Sequence, residues 1–220
     1  DKLVAEEIIQ ACSLTANPSK RIAISGVPGA GKSTFINGFG KLLIENNFSL
    51  AVLAVDPSSS ISKGSILGDK TRMEDLVSNN NVFIRPTATG GNLGGIARKT
   101  RETILLCEAF GFEYILVETV GVGQSETLVK NMADLFVLLL LPNAGDELQA
   151  VKRGIMEMAD VILINKSEKE NEIAAKTTAA QVKSALHLLT PNENGWLPQV
   201  QLISSTENIG LNETKEIIES

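Results

Sequence analysis

RIAISGVPGAGKSTFINGFGKLLIEN, residues 21 to 46, decides the fold. Its first five residues are an apolar, β-rich run, and from Lys32 onward the apolar spacing turns helical. Between them stand Gly26, four residues, Gly31, Lys32 and Ser33, which is the full Walker A spacing in its strand-loop-helix setting. Glycines let backbone N–H groups curl around a phosphate at the positive end of a helix. A lysine at that spacing adds a point charge to the β and γ phosphates, and the next hydroxyl can ligate Mg²⁺. The phosphate site is therefore read as Gly26, Val27, Pro28, Gly29, Ala30, Gly31, Lys32, Ser33 and Thr34.

Working outward, six further apolar runs alternate with helical patterns: LAVLAVD at 50–56, NVFIRP at 81–86, YILVE at 114–118, LFVLLLL at 135–141, VILIN at 161–165 and VQLIS at 200–204. Being continuously apolar, these runs should have both faces covered, as in a mostly parallel sheet wrapped by crossover helices. The expectation is an α/β, three-layer P-loop NTPase fold of about seven strands. Residues 1–20 read as an N-terminal helix and linker, and 21–220 as the P-loop domain. Thr71, followed three positions later by Glu74, reads as a capping box opening one helix, and 168–189 supplies another.

Bulk properties narrow the function. With 220 residues, 43% of them hydrophobic, the chain can bury one sizeable core. The net charge of −6, with dispersed basic residues, argues against a sequence-independent grip on nucleic acid. No run is long enough to span a membrane, and DKLVAEEIIQ carries no signal-peptide pattern. Cys12 and Cys107 form no CxxC or Cys/His cluster, so neither a disulfide framework nor a zinc site is expected, and the chain reads as intracellular. Cys107 reads as a core residue, and His187 has no partner motif.

A P-loop needs carboxylates for its metal, and a parallel sheet presents them at the C-terminal ends of strands. Asp56 closes the second run and Glu118 the fourth, while Asp69 lies in the polar loop PSSSISKGSILGDKTRM. Asp56 could instead cap the turn DPSS. Glu118 is harder to explain away, because a carboxylate beside the core is costly unless it faces a cation or ordered water. Gly121 and Gly123 beyond it suit a loop that pairs with a γ-phosphate and releases it on hydrolysis. Gln124 could orient the attacking water, although it is offset from the usual position.

Taken together, GVPGAGKST, AVDPSSS, GDKTRM, ETVGVGQSE, GDELQAVKRGIMEMAD and NKSE resemble the MeaB/ArgK-type GTPases, chaperones of adenosylcobalamin-dependent acyl-CoA mutases such as methylmalonyl-CoA mutase. The resemblance covers roughly 21–210 and implies the SIMIBI type of P-loop fold. It implies a GTP-hydrolysing switch that assists such a mutase during cofactor loading, slow on its own, with Mg²⁺ held by Ser33, Asp56, Asp69 and Glu118. Lys32, Glu118 and Gln124 would carry the catalysis. Switch loops would lie around Asp69 to Arg72, from Gly121 to Glu126, and at 143–152, where Asp146, Gln149 and Lys152 would couple nucleotide state to partner binding. GDELQAVKRG also fits a solvated helix start. The resemblance implies a cytoplasmic protein, or a mitochondrial-matrix one in a eukaryote, and leaves homodimerisation open. The Gly-rich stretch at 87–100 fits either a partner-facing loop or a tight connection.

The resemblance also gives INKSE, residues 164–168, a place. There a GTPase sets Asn-Lys-x-Asp, so Asn165 would meet the N7 and O6 edge of guanine and Lys166 would lie across the ring. Glu168 would accept from N1 and N2, with one methylene more than aspartate. Adenine offers no matching donors and would leave the carboxylate unpaired. Ser204 and Ser205, in SSTENIG, would lie near the base. The alternatives are a metal-insertion GTPase chaperone, for which Cys- or His-rich motifs are lacking, a P-loop kinase, for which no second substrate motif is seen, and a nucleotide-gated binding module with negligible turnover.

Overall fold

The computed structural model describes residues 2–15, 17–56, 73–88, 93–119, 125–142, 153–187 and 195–220. All seven apolar runs become strands: β1 (Lys20–Gly26), β2 (Leu50–Asp56), β3 (Val82–Ala88), β4 (Tyr114–Thr119), β5 (Leu135–Leu140), β6 (Val161–Ile164) and β7 (Gln199–Leu202). They pair in the order β3-β2-β4-β1-β5-β6-β7, and every described pairing is parallel, so the mostly parallel sheet expected is wholly so here. Parallel neighbours cannot be joined by tight turns, and helices make the returns. The described helices are α1 (Lys2–Thr15), which precedes the first strand, α2 (Lys32–Glu45), α3 (Glu74–Val77), α4 (Leu93–Ala109), α5 (Ser125–Lys130), α6 (Arg153–Met158), α7 (Glu172–Leu186) and α8 (Leu211–Glu219), which follows the last.

Alternate residues of each inner strand feed two separate cores, which makes three layers. Ile22 and Ile24 of β1 pack with Phe35, Phe39 and Leu43 of α2, Met73 beside α3, and Leu211 and Ile218 of α8. Ala23 faces the other way, towards Ile104 and Cys107 of α4, Val129 of α5, Ile155 of α6 and Val182 of α7. Cys107 is thus a core residue, and burial pushes its thiol up to about 11, out of the reactive range. Helix α1 lies against α4. His187 is exposed at the end of α7. No helix among the described residues is long and apolar enough to cross a membrane.

Two expectations need correcting. Coverage of both faces holds for the inner strands and fails at the two edges: Phe83 of β3 is 40% exposed, and no residue of β7 is fully buried. An edge strand has a neighbour on one side only, so its outer face is left partly to solvent. Second, α3 begins at Glu74 with Met73 in the cap position, which makes Glu74 the first helical residue and not the third. Met73 is wholly buried, so core packing sets that helix start. Thr71 lies outside the described residues.

The strand register fixes the ligand edge. β1 is central, flanked by β4 and β5, and its C-terminal end opens directly into the glycine loop. Ile24 of β1 pairs with Glu118 of β4, so Glu118 stands one strand away from the start of that loop. Asn165 and Ser204, expected inside strands, fall just beyond them; the Asn165 N–H still donates to the Leu140 carbonyl at 2.9 Å, continuing the ladder.

Candidate nucleotide-binding site

Glycine is required where the loop leaves the sheet. At Gly26, φ is +153°, and a Cβ there would sit 2.5 Å from the Leu139 carbonyl oxygen, a backbone atom of β5 with no room to withdraw. At Gly31 φ is +88°, and this residue caps α2 with no side-chain hydrogen bond. The first N–H groups of α2 therefore point into the loop, as an anion site needs.

Lys32 is 8% exposed, and its ammonium donates to the carbonyls of Gly26 at 2.9 Å and Val27 at 3.3 Å. Burial pulls its pKa below the usual lysine value, against the opposing charges of Glu118 and Glu126. The loop thus holds its own cation in place by main-chain oxygens. Beside it the Ser33 hydroxyl donates to Glu118 Oε1 at 3.1 Å. A hydroxyl and a carboxylate are hard oxygen donors, so the pair fits Mg²⁺ by its chemistry. Thr34 is exposed in the first turn of α2, and Ala30 is wholly buried.

Glu126 is 1% exposed in the first turn of α5, and its charge reaches Lys32. Sequence reasoning placed it only at the rim of a switch loop. A carboxylate opening a helix after a glycine-rich turn was the available signal.

The other half of the site comes from the ends of β6 and β7. Asn165 is 1% exposed, donates from Nδ2 to the Ala30 carbonyl at 2.8 Å, and accepts at Oδ1 from the Ser205 N–H at 3.1 Å and hydroxyl at 2.8 Å. A Cβ on Gly31 would lie 2.5 Å from that same Nδ2, so the glycine is what lets the asparagine close on the loop. Lys166 is exposed and held at φ +59°, a left-handed conformation uncommon outside glycine. Next to it, the Ser167 N–H and hydroxyl both donate to the Ile203 carbonyl, at 3.1 and 2.7 Å.

Glu168 Oε1 accepts from the Ser204 hydroxyl at 2.8 Å and the Thr206 hydroxyl at 2.9 Å. Burial pushes this carboxyl up, but hydrogen bonds from its own backbone, Ser204, Thr206 and Asn171 outweigh it and hold the group below the ordinary carboxylate value. Ser204 is wholly buried and Ser205 nearly so. The turn carrying them is closed by reciprocal Ser204 and Ile209 backbone bonds of 3.0 Å. Thr206 was missed at the sequence level, where only Ser204 and Ser205 were read towards the base.

Asp56 ends β2 on the ligand edge, with its side chain outside what is described. Asp69, Arg72, Gly121, Gly123, Gln124, Asp146, Gln149 and Lys152 all lie outside the described residues, as does 89–92 of the Gly-rich stretch. The structure thus brings together Gly26 to Thr34, Glu118, Asn165, Glu168, Ser204 and Ser205 along one sheet edge: a glycine loop, a hydroxyl and carboxylate pair beside it, and a second carboxylate held by the turn after β7.

A family model described as "Methylmalonyl Co-A mutase-associated GTPase MeaB" matches residues 1–220. Among relatives, the Escherichia coli protein named GTPase ArgK is 49% identical over 193 residues, 88% of this chain and 58% of that protein. The mouse protein named methylmalonic aciduria type A homolog, mitochondrial, is 54% identical over 193 residues, 88% of this chain and 46% of its own length. The chain thus spans about half the length of the curated relatives it matches. Of solved structures, one titled LAO/AO transport system kinase superposes with a TM-score of 0.83 at 36% identity, covering 99% of this chain and 64% of that one. HypB from Helicobacter pylori, solved with nickel, gives 0.64 at 18% identity over 99% of this chain and 93% of its own, a likeness of fold alone.

Proposed function

The chain belongs to the MeaB family, the methylmalonyl-CoA mutase-associated GTPases, and from that membership we propose that it binds and hydrolyses GTP as a switch read by an adenosylcobalamin-dependent acyl-CoA mutase. The observation that carries the reading is Asn165, whose amide spans from Ala30 in the phosphate loop to Ser205 beside Glu168. One side chain thereby sets the distance between the place for a phosphate tail and the place for a base. Glu168, held ionised, supplies the acceptor that guanine N1 and N2 require and adenine cannot use.

In this reading Lys32 leaves the Gly26 and Val27 carbonyls for the β and γ phosphates. Ser33 and Glu118, with Asp56 and Asp69, hold Mg²⁺, which neutralises phosphate charge when bound. Gln124 orients water. The segments around Asp69 to Arg72, from Gly121 to Glu126 and at 143–152, with Asp146, Gln149 and Lys152, order against the γ-phosphate and loosen on hydrolysis, a difference the mutase reads during cofactor loading. The metal-insertion alternative rests on likeness of fold alone.

Two measurements test this. Lys32→Ala should abolish nucleotide binding or turnover, and unaltered GTP hydrolysis in that variant overturns the enzyme reading. A pull-down from the source extract with a non-hydrolysable GTP analogue should retain a cobalamin-dependent mutase. A purified cognate mutase that neither binds the chain nor alters its GTPase rate removes the partner assignment.

A further inference from the structure

Thr206 lies on the exposed turn after β7, in the stretch SSTENIG but given no role there, yet its hydroxyl donates to Glu168 Oε1 at 2.9 Å. The buried Ser204 hydroxyl donates to the same oxygen at 2.8 Å, and is itself steadied by the Glu207 N–H at 3.2 Å. A carboxylate oxygen has two lone-pair directions, and the two hydroxyls use both on Oε1. A base's donors are then met from Oε2. Glutamate has one more rotatable bond than aspartate, so its tip needs several anchors to stop a swing about the last torsion, and Thr206 adds one to those from Ser204, Asn171 and the residue's own backbone.

We propose that Thr206 is a positioning residue for base selectivity: with Ser204 it clamps Oε1 of Glu168, compensates for the extra methylene, and aims Oε2 at the N1–H and N2–H donors of guanine. This deepens the GTP reading above and rests on it. The clamp acts on the carboxylate alone, so it should alter affinity for guanine nucleotides and leave adenine nucleotides untouched. A structural role for Thr206 would weaken both together.

The test is calorimetric titration of the chain with GDP and with ADP, in wild type, Thr206→Val, Thr206→Ser, Glu168→Asp and the double variant Glu168→Asp/Thr206→Val. Valine keeps the branched shape and removes the hydroxyl. Its hydrogen bond is exposed to competition from water, so the expected loss in the GDP-to-ADP affinity ratio is about fivefold, the range of one net hydrogen bond. ADP affinity should stay unchanged, and serine should restore the ratio. In the Glu168→Asp background, where Ser204 suffices to hold a shorter carboxylate, Thr206→Val should cost little. An unchanged ratio in Thr206→Val overturns the proposal, as does an equal cost in both backgrounds. Wild type binding neither nucleotide, or both equally, overturns the GTP reading and this inference with it. A wild type that prefers GDP while the Thr206 variants do nothing overturns this inference alone.

Discussion

Asn165 donates from Nδ2 to the Ala30 carbonyl at 2.8 Å, so the residue expected to read a base is also a strut of the phosphate loop. Its Oδ1 is taken twice by Ser205, so three of the four hydrogen-bonding positions of the side chain are used within the protein. Asn165→Ala removes three buried hydrogen bonds, each contributing about 1 kcal/mol, so the unfolding free energy should fall by about 2–3 kcal/mol. Binding of inorganic pyrophosphate, which has no base, should weaken as well. Calorimetry with pyrophosphate checks this; unchanged affinity would mean that Asn165 does not shape the phosphate loop.

Lys32 illustrates a conflict between stability and site. It is a buried cation, and its pKa is lowered chiefly by that burial. An unfolded chain holds its proton more tightly, so the charged state costs stability at neutral pH, and the cost fades as pH rises through the depressed folded value towards the ordinary 10.5. Lys32→Met should therefore unfold no earlier than wild type at pH 7, while losing nucleotide binding. The difference in melting temperature between the two should narrow from pH 7 to pH 10. A variant markedly less stable than wild type at neutral pH contradicts this.

How much of this was readable from the letters varies with how local each cause is. The glycine loop, the central β1 and the inner strands were legible because buried parallel strands are continuously apolar and P-loop spacing is a local constraint. The outer faces of β3 and β7 were not: which strand becomes an edge depends on pairing order, which no single run encodes. Glu126 reaches Lys32, and Thr206 reaches Glu168, only after folding brings separate segments to one sheet edge. The Thr71 and Glu74 pattern matched a capping box, but burial of Met73 set the helix start two residues later.

Glu168→Asp shortens the proposed base-reading acceptor and should raise the preference for GTP over ATP, because a shorter side chain loses less freedom on binding. In the wild type the carboxyl lies below its ordinary value of 4.5, its hydrogen bonds outweighing burial. A depressed carboxyl contributes stability above its unfolded value and loses it as pH falls through the folded one. Guanine preference should accordingly persist from pH 7 to below that ordinary value and disappear only as pH falls through the depressed folded one, while Glu168→Gln should lack it at every pH. Competition binding across this range checks both statements. A glutamine variant that still prefers GTP would remove Glu168 from base reading.

Gly210 and Gly29 separate a steric demand from a conformational one. Both have positive φ, +75° and +82°, so alanine at either carries the left-handed penalty of about 1 kcal/mol. A Cβ at Gly29 meets nothing within 4 Å, whereas at Gly210 it would lie 2.4 Å from the Leu202 carbonyl oxygen and 3.0 Å from Ile203 Cγ2. Leu202 is held in β7 and Ile203 is wholly buried, so neither can withdraw without shifting the turn that carries Ser204, Ser205 and Thr206. Gly210→Ala should therefore lose about 2 kcal/mol more than Gly29→Ala in denaturant unfolding. It should also weaken guanine selectivity through Glu168. Equal losses for the two variants would show that this turn yields, and that the base pocket is not braced against the end of β7.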